Sequence, residues 1–394
     1  MFVVSKLVQA MEPSATLAMA AKAKDLKAQG KTVYDLSVGE PDFGTPKHIC
    51  DAAVAAMNAG HTKYTVASGI PELKNAIVAE YKARFGLEYT AAQVCVANGA
   101  KHALHNAFTT VLDPGDEVIV PAPYWVSYTE QIKLAGGVPV VLDTKESENF
   151  LLKPDVFRAA ITPKTKLLLL CSPSNPTGTM YSPGQLGELA DIVIEKDLGV
   201  VSDEIYDRLV YEGKFASFAT LRPGLQDRTI IVNGVSKTYS MTGWRVGWSL
   251  APLQVARKIA ELQSQETSNP CSISQYAALA AIKGDQTCVD DMLKEFARRR
   301  EYVKKRIAGI DGLSCPDMGG AFYAFFNVKK HLGRKYGGVQ VDNSEQWCLE
   351  LLNQKCVATV MGSSFGCEGY VRLSFAASMD ALEKSFDLIE EFIR

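Results

Sequence analysis

Between residues 94 and 252, short unbroken apolar runs alternate with stretches of helical period. The runs are VCVAN (94–98), EVIVPAP (117–123), VPVVLD (138–143), KLLLLCSPSNP (166–176), VVSDEIY (200–206), TIIVNG (229–234) and GWSLAP (247–252). Helix-like stretches fall between several of them, as at 101–111, 124–135 and 183–197. Strands that are continuously apolar rather than alternating, and separated by helices, predict a largely parallel sheet covered on both faces. The flanks read differently. A long charged helix is predicted over 286–308, then three strand candidates at 321–328, 356–362 and 370–376, then an amphipathic helix from Met379 onward. The pattern predicts an α/β protein with a large domain over 45–285, built on a mostly parallel mixed sheet. A smaller α+β domain would comprise 286–394 joined by 1–44, a stretch that does not resemble a domain by itself.

Composition changes this picture little. A chain of 394 residues, 47% apolar and 22% charged, has ample material for a large core. A formal net charge of −2 gives no reason to expect nucleic acid or an acidic membrane as partner. The basic run at 297–306 sits at helical spacing beside Glu295 and Glu301, and reads as a solvated helix face. No apolar run approaches a membrane span, and the amino terminus does not read as a signal peptide. Nine cysteines, an odd count without a C-x-x-C pair, favour reduced thiols and a cytoplasmic location.

The candidate chemistry collects at strand ends, where open parallel sheets bind ligands. Asn175 follows one apolar run, Asp203 ends another, Lys237 follows TIIVNG, and Gly99-Ala100-Lys101 follows VCVAN and opens a helix. A helix amino terminus with glycine suits a phosphate, and Arg245 would add a planar, permanently charged donor. Neither G-x-G-x-x-G nor G-x-x-x-x-G-K-[ST] occurs, which disfavours dinucleotides and nucleoside triphosphates. A lysine beside a phosphate site, with an aspartate from a neighbouring strand, fits pyridoxal 5'-phosphate. That cofactor needs an amine to condense with its aldehyde, a partner for its ring nitrogen and a phosphate anchor. His102 and His105, three apart on a helix with no third ligand in view, read as structural, and no metal is expected.

SPSNPTG, SDEIYD, SKTYSMTGWRVGW and GYVRLSFA resemble the fold-type I aminotransferases, in the branch that includes bacterial aspartate aminotransferases. SVGEPDFGTP (37–46), KYTVASGIPELK (63–74) and LDPGDEVIVPAPYW (112–125) extend the resemblance over nearly the whole chain. It implies that Lys237 carries the cofactor and moves the substrate's α-proton, that Asp203 holds the ring nitrogen protonated, and that Tyr206 and Asn175 bond the phenolic oxygen. Trp125 would stack on the ring. Arg245, Gly99, Ala100, Lys101 and Ser236 would hold the phosphate region, with Tyr64 donated by the neighbouring subunit of a homodimer. Many relatives carry a serine where this chain has Gly234. Arg372 would grip the substrate α-carboxylate, with Gly39 and Asn175 adding contacts; the flanking apolar residues argue against a free surface arginine, and the alternative is an arginine facing outward on an edge strand.

Lys101 and Thr16 are the residues implied for a distal carboxylate, since 262–278 contains no cation. The resemblance thus implies transamination between L-aspartate and 2-oxoglutarate. Aromatic or kynurenine-type transaminases share every cofactor residue named here, and lyases share the fold. Members that accept prephenate carry a lysine before PSAT where this chain has Glu12. Cofactor-sensing regulators of this fold carry an added DNA-binding domain, for which this chain has no room.

Overall fold

The computed structural model describes residues 1–12 and 15–394. The predicted strands over 94–252 form one seven-stranded sheet: β1 (Val94–Ala97), β2 (Glu117–Ala122), β3 (Val138–Asp143), β4 (Thr165–Cys171), β5 (Gly199–Asp203), β6 (Thr229–Gly234) and β7 (Gly247–Leu250). Their spatial order is β1-β7-β6-β5-β4-β2-β3. Only β7 runs against its neighbours, so six strands point their carboxyl ends the same way. β1, β6 and β7 are buried along their whole length, which accounts for their unbroken apolar runs.

Helices cover both faces. Three matter for the site or the fold: α1 (Ala100–Val111), α2 (Ser127–Leu134) and α3 (Pro183–Glu195). α3 starts where sequence says it should, with Pro183 in its first turn and a capping box between Ser182 and Gln185. α2 starts three residues later than the predicted helix. The Tyr124 N–H is committed to the Phe365 carbonyl across the molecule, which holds that residue out of the helix.

The carboxyl-terminal region holds α4 (Thr287–Gly309), a second sheet of β8 (Tyr323–Asn327), β9 (Val360–Met361) and β10 (Tyr370–Ser374), and α5 (Met379–Ile393). The sheet is antiparallel, in the order β9-β10-β8. The strand expected over 356–362 is instead two short pieces with different partners. Val357–Ala358 pairs in parallel with Tyr34–Asp35, and β9 pairs with β10. Between them Thr359 is fully buried, its hydroxyl on Cys348 Sγ.

The basic run in α4 also departs from expectation. Arg299 and Arg300 are 4% and 3% exposed, not solvated. Arg299 pairs with Glu295 and with Asp42 at 2.6 Å, and Arg300 donates to the Met318 carbonyl at 2.6 Å. Phe43 lies edge-on to Phe296 beside the same arginine, so segment 37–44 is pinned to α4. Met19, Ala23, Val33 and Leu36 share an apolar core with Phe296, Phe322 and Phe386.

Candidate active site

A cavity of about 390 Å³ opens at the carboxyl ends of β1, β4, β5 and β6. Gly99 ends the turn after β1 and caps α1 at φ 85°, a left-handed conformation glycine adopts without strain. A Cβ there would lie 2.5 Å from Arg245 Nη2. Arg245, itself left-handed at φ 55°, donates to the carbonyls of Thr242 (2.9 Å) and Asn98 (3.4 Å). Its guanidinium therefore lies against the start of α1, where Gly99 supplies no side-chain cap for the first-turn N–H groups. Gly234 has no room for a serine: a Cβ would sit 2.9 Å from both Gly247 Cα and the Val246 carbonyl.

Asp203 ends β5 and is 4% exposed. One carboxylate oxygen accepts the Tyr128 hydroxyl at 2.6 Å and the other the Ile205 N–H at 3.2 Å. Burial pushes its pKa up to about 6, against the pull of the Tyr128 and Ile205 hydrogen bonds and the Lys237 charge. Lys237 is half-buried and donates to the Gly39 carbonyl at 2.5 Å. Burial pushes its amine down to about 8, with Glu40 opposing and the charges of Arg372 and Arg245 reinforcing the shift. An amine near 8 has a usable neutral fraction at physiological pH.

Arg372 lies on the central strand β10, opposite Val360 and Phe325, and is 1% exposed. The outward-facing edge position is thereby excluded. Its Nη1 donates to Asn175 Oδ1 at 3.0 Å and Nη2 to the Ser37 carbonyl at 2.5 Å, while the buried Nε has no partner among the described residues. Its guanidinium stacks over Tyr323 and Phe365, 4.7 and 5.0 Å from the ring centres. The Tyr323 hydroxyl is 2.8 Å from that of Tyr206, and burial holds both phenols above the usual tyrosine range. Gly39 must be glycine here, since a Cβ would meet the Tyr323 oxygen at 2.3 Å.

Trp125 stands edge-to-face on Tyr128 (5.3 Å, 82°), and the Lys101 amine lies 4.8 Å from the Trp125 ring centre. Burial, aided by Arg245, lowers the Lys101 pKa. Gly39, Ala100, Lys101, Trp125, Asn175, Asp203, Tyr206, Ser236, Lys237, Arg245, Arg372 and Thr16 all line this cavity. Gly99 lies directly behind Arg245. Tyr64 does not join them; it is 90% exposed on the surface. Glu12 borders a neighbouring cleft, its N–H on Glu130, and Pro13 and Ser14 of the PSAT motif lie outside the described residues. His102 and His105 face Glu266 at 3.7 and 3.3 Å. Sequence reading missed Tyr128, Tyr323, Cys171 and Glu40 in the cavity wall. Tyr128 could have been found, because it follows Trp125 at helical spacing i, i+3. Tyr323 required knowing the register of β8 on β10.

No helix among the described residues is long and apolar enough to cross a membrane. The family model for aminotransferase class I and II matches residues 31–384. An aspartate aminotransferase of Geobacillus stearothermophilus is 47% identical over 99% of this chain and 98% of its own. An aspartate/prephenate aminotransferase of Nitrosomonas europaea is 42% identical over 99% of both. The structure of Thermus thermophilus aspartate aminotransferase with maleate superimposes with a TM-score of 0.94, at 39% identity and full coverage of both chains. A lysine, an aspartate and a buried arginine brought from distant strands to one cavity, in a fold shared along the whole chain, mean that this chain belongs to the class I and II aminotransferases.

Proposed function

We propose that the protein is a pyridoxal-phosphate aminotransferase that exchanges the amino group between L-aspartate and 2-oxoglutarate, giving oxaloacetate and L-glutamate. The observation that carries this is Arg372, a buried guanidinium whose Nε has no partner among the described residues, lining the same cavity as Lys237 and Asp203. The donor set fits the cofactor. Gly99 leaves a cradle at the start of α1 that Arg245 completes, as a phosphate requires. Ser236, 6% exposed, adds a hydroxyl on that side. When bound, the cofactor supplies an aldehyde to receive the amine and a cationic ring that draws electrons from the α-carbon.

The chain's own residues do the rest. Lys237, with its amine pushed down to about 8, takes the α-proton as a base and returns it as an acid. Asp203 would keep the ring nitrogen protonated by charge. Asn175 spends its oxygen on Arg372, which leaves its amide NH2 as a donor that, with the Tyr206 hydroxyl, would serve the phenolic oxygen. Trp125 would stack on the ring. Arg372 binds the α-carboxylate, and Lys101 with Thr16 meets the distal one.

The names of the relatives support a dicarboxylate substrate, as does maleate, a four-carbon dicarboxylate, in the Thermus structure. Prephenate is the second reading, favoured by the name of the Nitrosomonas relative and opposed by Glu12, an acid where an incoming acid would need a cation. The residues 45–285 would form the cofactor-holding domain, and 1–44 with 286–394 the second domain. The protein would be a cytoplasmic homodimer, with the exposed Tyr64 reaching the partner's phosphate site.

Initial rates with a panel of amino donors against fixed 2-oxoglutarate, and of 2-oxo acids including prephenate against fixed aspartate, test the assignment. Aspartate is expected to lead. Turnover of phenylalanine or kynurenine with none of aspartate would overturn the substrate, and ammonia release without a 2-oxo acid would reveal a lyase.

A further inference from the structure

Resting on the cofactor reading above, we propose that Tyr128 is a positioning residue: its phenol keeps the Asp203 carboxylate ionised and aimed at the cofactor's ring nitrogen. The 2.6 Å bond from Tyr128 to Asp203 has only one sensible direction. A carboxylate accepts, and burial holds the Tyr128 proton on its oxygen by raising its pKa well above the usual tyrosine range. The other Asp203 oxygen takes the Ile205 N–H at 3.2 Å. Two of roughly four lone-pair positions are thus filled from the protein side, and the carboxylate keeps acceptor capacity toward the cavity.

Four titratable groups face Asp203: Tyr128 from α2, Cys171 from β4, Tyr206 beyond β5, and Lys237 beyond β6. The Cys171 thiol is pushed up to about 12 by burial and donates to the Pro173 carbonyl, so it brings no charge. Tyr206 is neutral for the same reason and is engaged with Tyr323. Lys237 is the one cation among them, and it cannot be both the reactive neutral amine and the standing counter-charge of Asp203. The permanent side-chain donor is therefore Tyr128.

Its position is as constrained as its protonation. Tyr128 is 2% exposed, its N–H bonds the Trp125 carbonyl at 2.9 Å, and its ring meets Trp125 edge-to-face. One turn further along α2, Gln131 Nε2 donates to the Lys101 carbonyl at 2.8 Å, tying α2 to α1. The turn that leads into α2 thus places both Trp125 and the Tyr128 donor that orients Asp203.

The test compares wild type with Tyr128→Phe, both reconstituted with pyridoxal phosphate carrying 15N in the ring. In wild type the ring nitrogen is expected to resonate as protonated at pH 7.5. In Tyr128→Phe the midpoint of its protonation should fall by about one pH unit, and cofactor dissociation should rise about tenfold, for loss of one hydrogen bond to a buried charge. The kcat should fall with KM for the amino acid changed less than twofold, because Arg372 is untouched. Cys171→Ala, which repacks the same corner without removing the bond, should leave the 15N midpoint in place. An unchanged midpoint and cofactor affinity in Tyr128→Phe would overturn the proposal, as would an equal shift in Cys171→Ala. Wild type that took up no pyridoxal phosphate would overturn the functional reading as well.

Discussion

Arg372 is enclosed on all sides yet keeps Nε without a partner among the described residues, and it lines the same cavity as Lys237 and Asp203, which supports a binding role. Asn175 and the Ser37 carbonyl take one N–H from each terminal nitrogen, which leaves further N–H groups of the guanidinium for a carboxylate. Arg372→Ala is expected to weaken amino-acid binding by roughly 2–5 kcal/mol, since the substrate carboxylate would be left buried without its charge-assisted pair. Cofactor affinity, measured by equilibrium dialysis, should change far less, and equal losses for both ligands would assign the arginine to structure. The motif around Arg372 made the residue legible in the sequence. Its bond to Asn175, 197 positions away, was not, because only the packing of β10 under the end of β4 creates it.

The end of β5 shows how an element sorts two adjacent acids. Strand alternation turns Asp203 into the cavity and sends Glu204 to the opposite side. There one Glu204 oxygen accepts from the hydroxyls of Ser202 and Ser217 and the Phe218 N–H, while the other has no partner. Burial pushes the Glu204 carboxyl up to about 8, so in the folded protein it is held protonated near neutral pH. Because the folded pKa lies above the ordinary value of 4.5, folding takes up a proton between the two. This contribution to stability is complete below about 4.5 and is lost as pH rises toward 8. Glu204→Gln keeps the shape and removes the titration. Its melting temperature should match wild type at pH 5 and exceed it at pH 9, by a difference on the order of a few kcal/mol in stability. Identical pH profiles for the two proteins would show that Glu204 does not titrate in this range. The SDEIYD motif singled out Asp203 in the sequence, but the buried setting of Glu204 was not legible, because Ser217 and Phe218 meet it only through tertiary packing.

At the scale of the whole molecule the site joins segments from both ends of the chain. Segment 37–44 meets Lys237 through the Gly39 carbonyl and Thr242 through Glu40, and is held on α4 through Asp42 and Phe43. The proposed sharing of the active site would add a second chain. Lys237→Ala and Tyr64→Ala chains, each impaired alone, should regain activity when unfolded together and refolded as mixed dimers. Each hybrid would hold one site with Lys237 from one chain and Tyr64 from the other. Recovery approaching a quarter of wild-type turnover per total chain is expected from random pairing, roughly half the dimers being hybrids with one good site. No recovery, with hybrids verified by mass, would place Tyr64 outside the neighbour's site.

By itself the sequence determined the sheet and singled out Lys237, Asp203 and Arg372, which the fold brings to one cavity, because periodicity and spaced motifs are local properties of the chain. It did not reveal the burial of Arg299 and Arg300, the division of 356–362 between two sheets, or Tyr128 and Tyr323 in the cavity wall. Those were decided by tertiary structure. Each rests on a contact between segments far apart in sequence, and burial, with the hydrogen bonds and pKa shifts it imposes, exists only once such segments have packed.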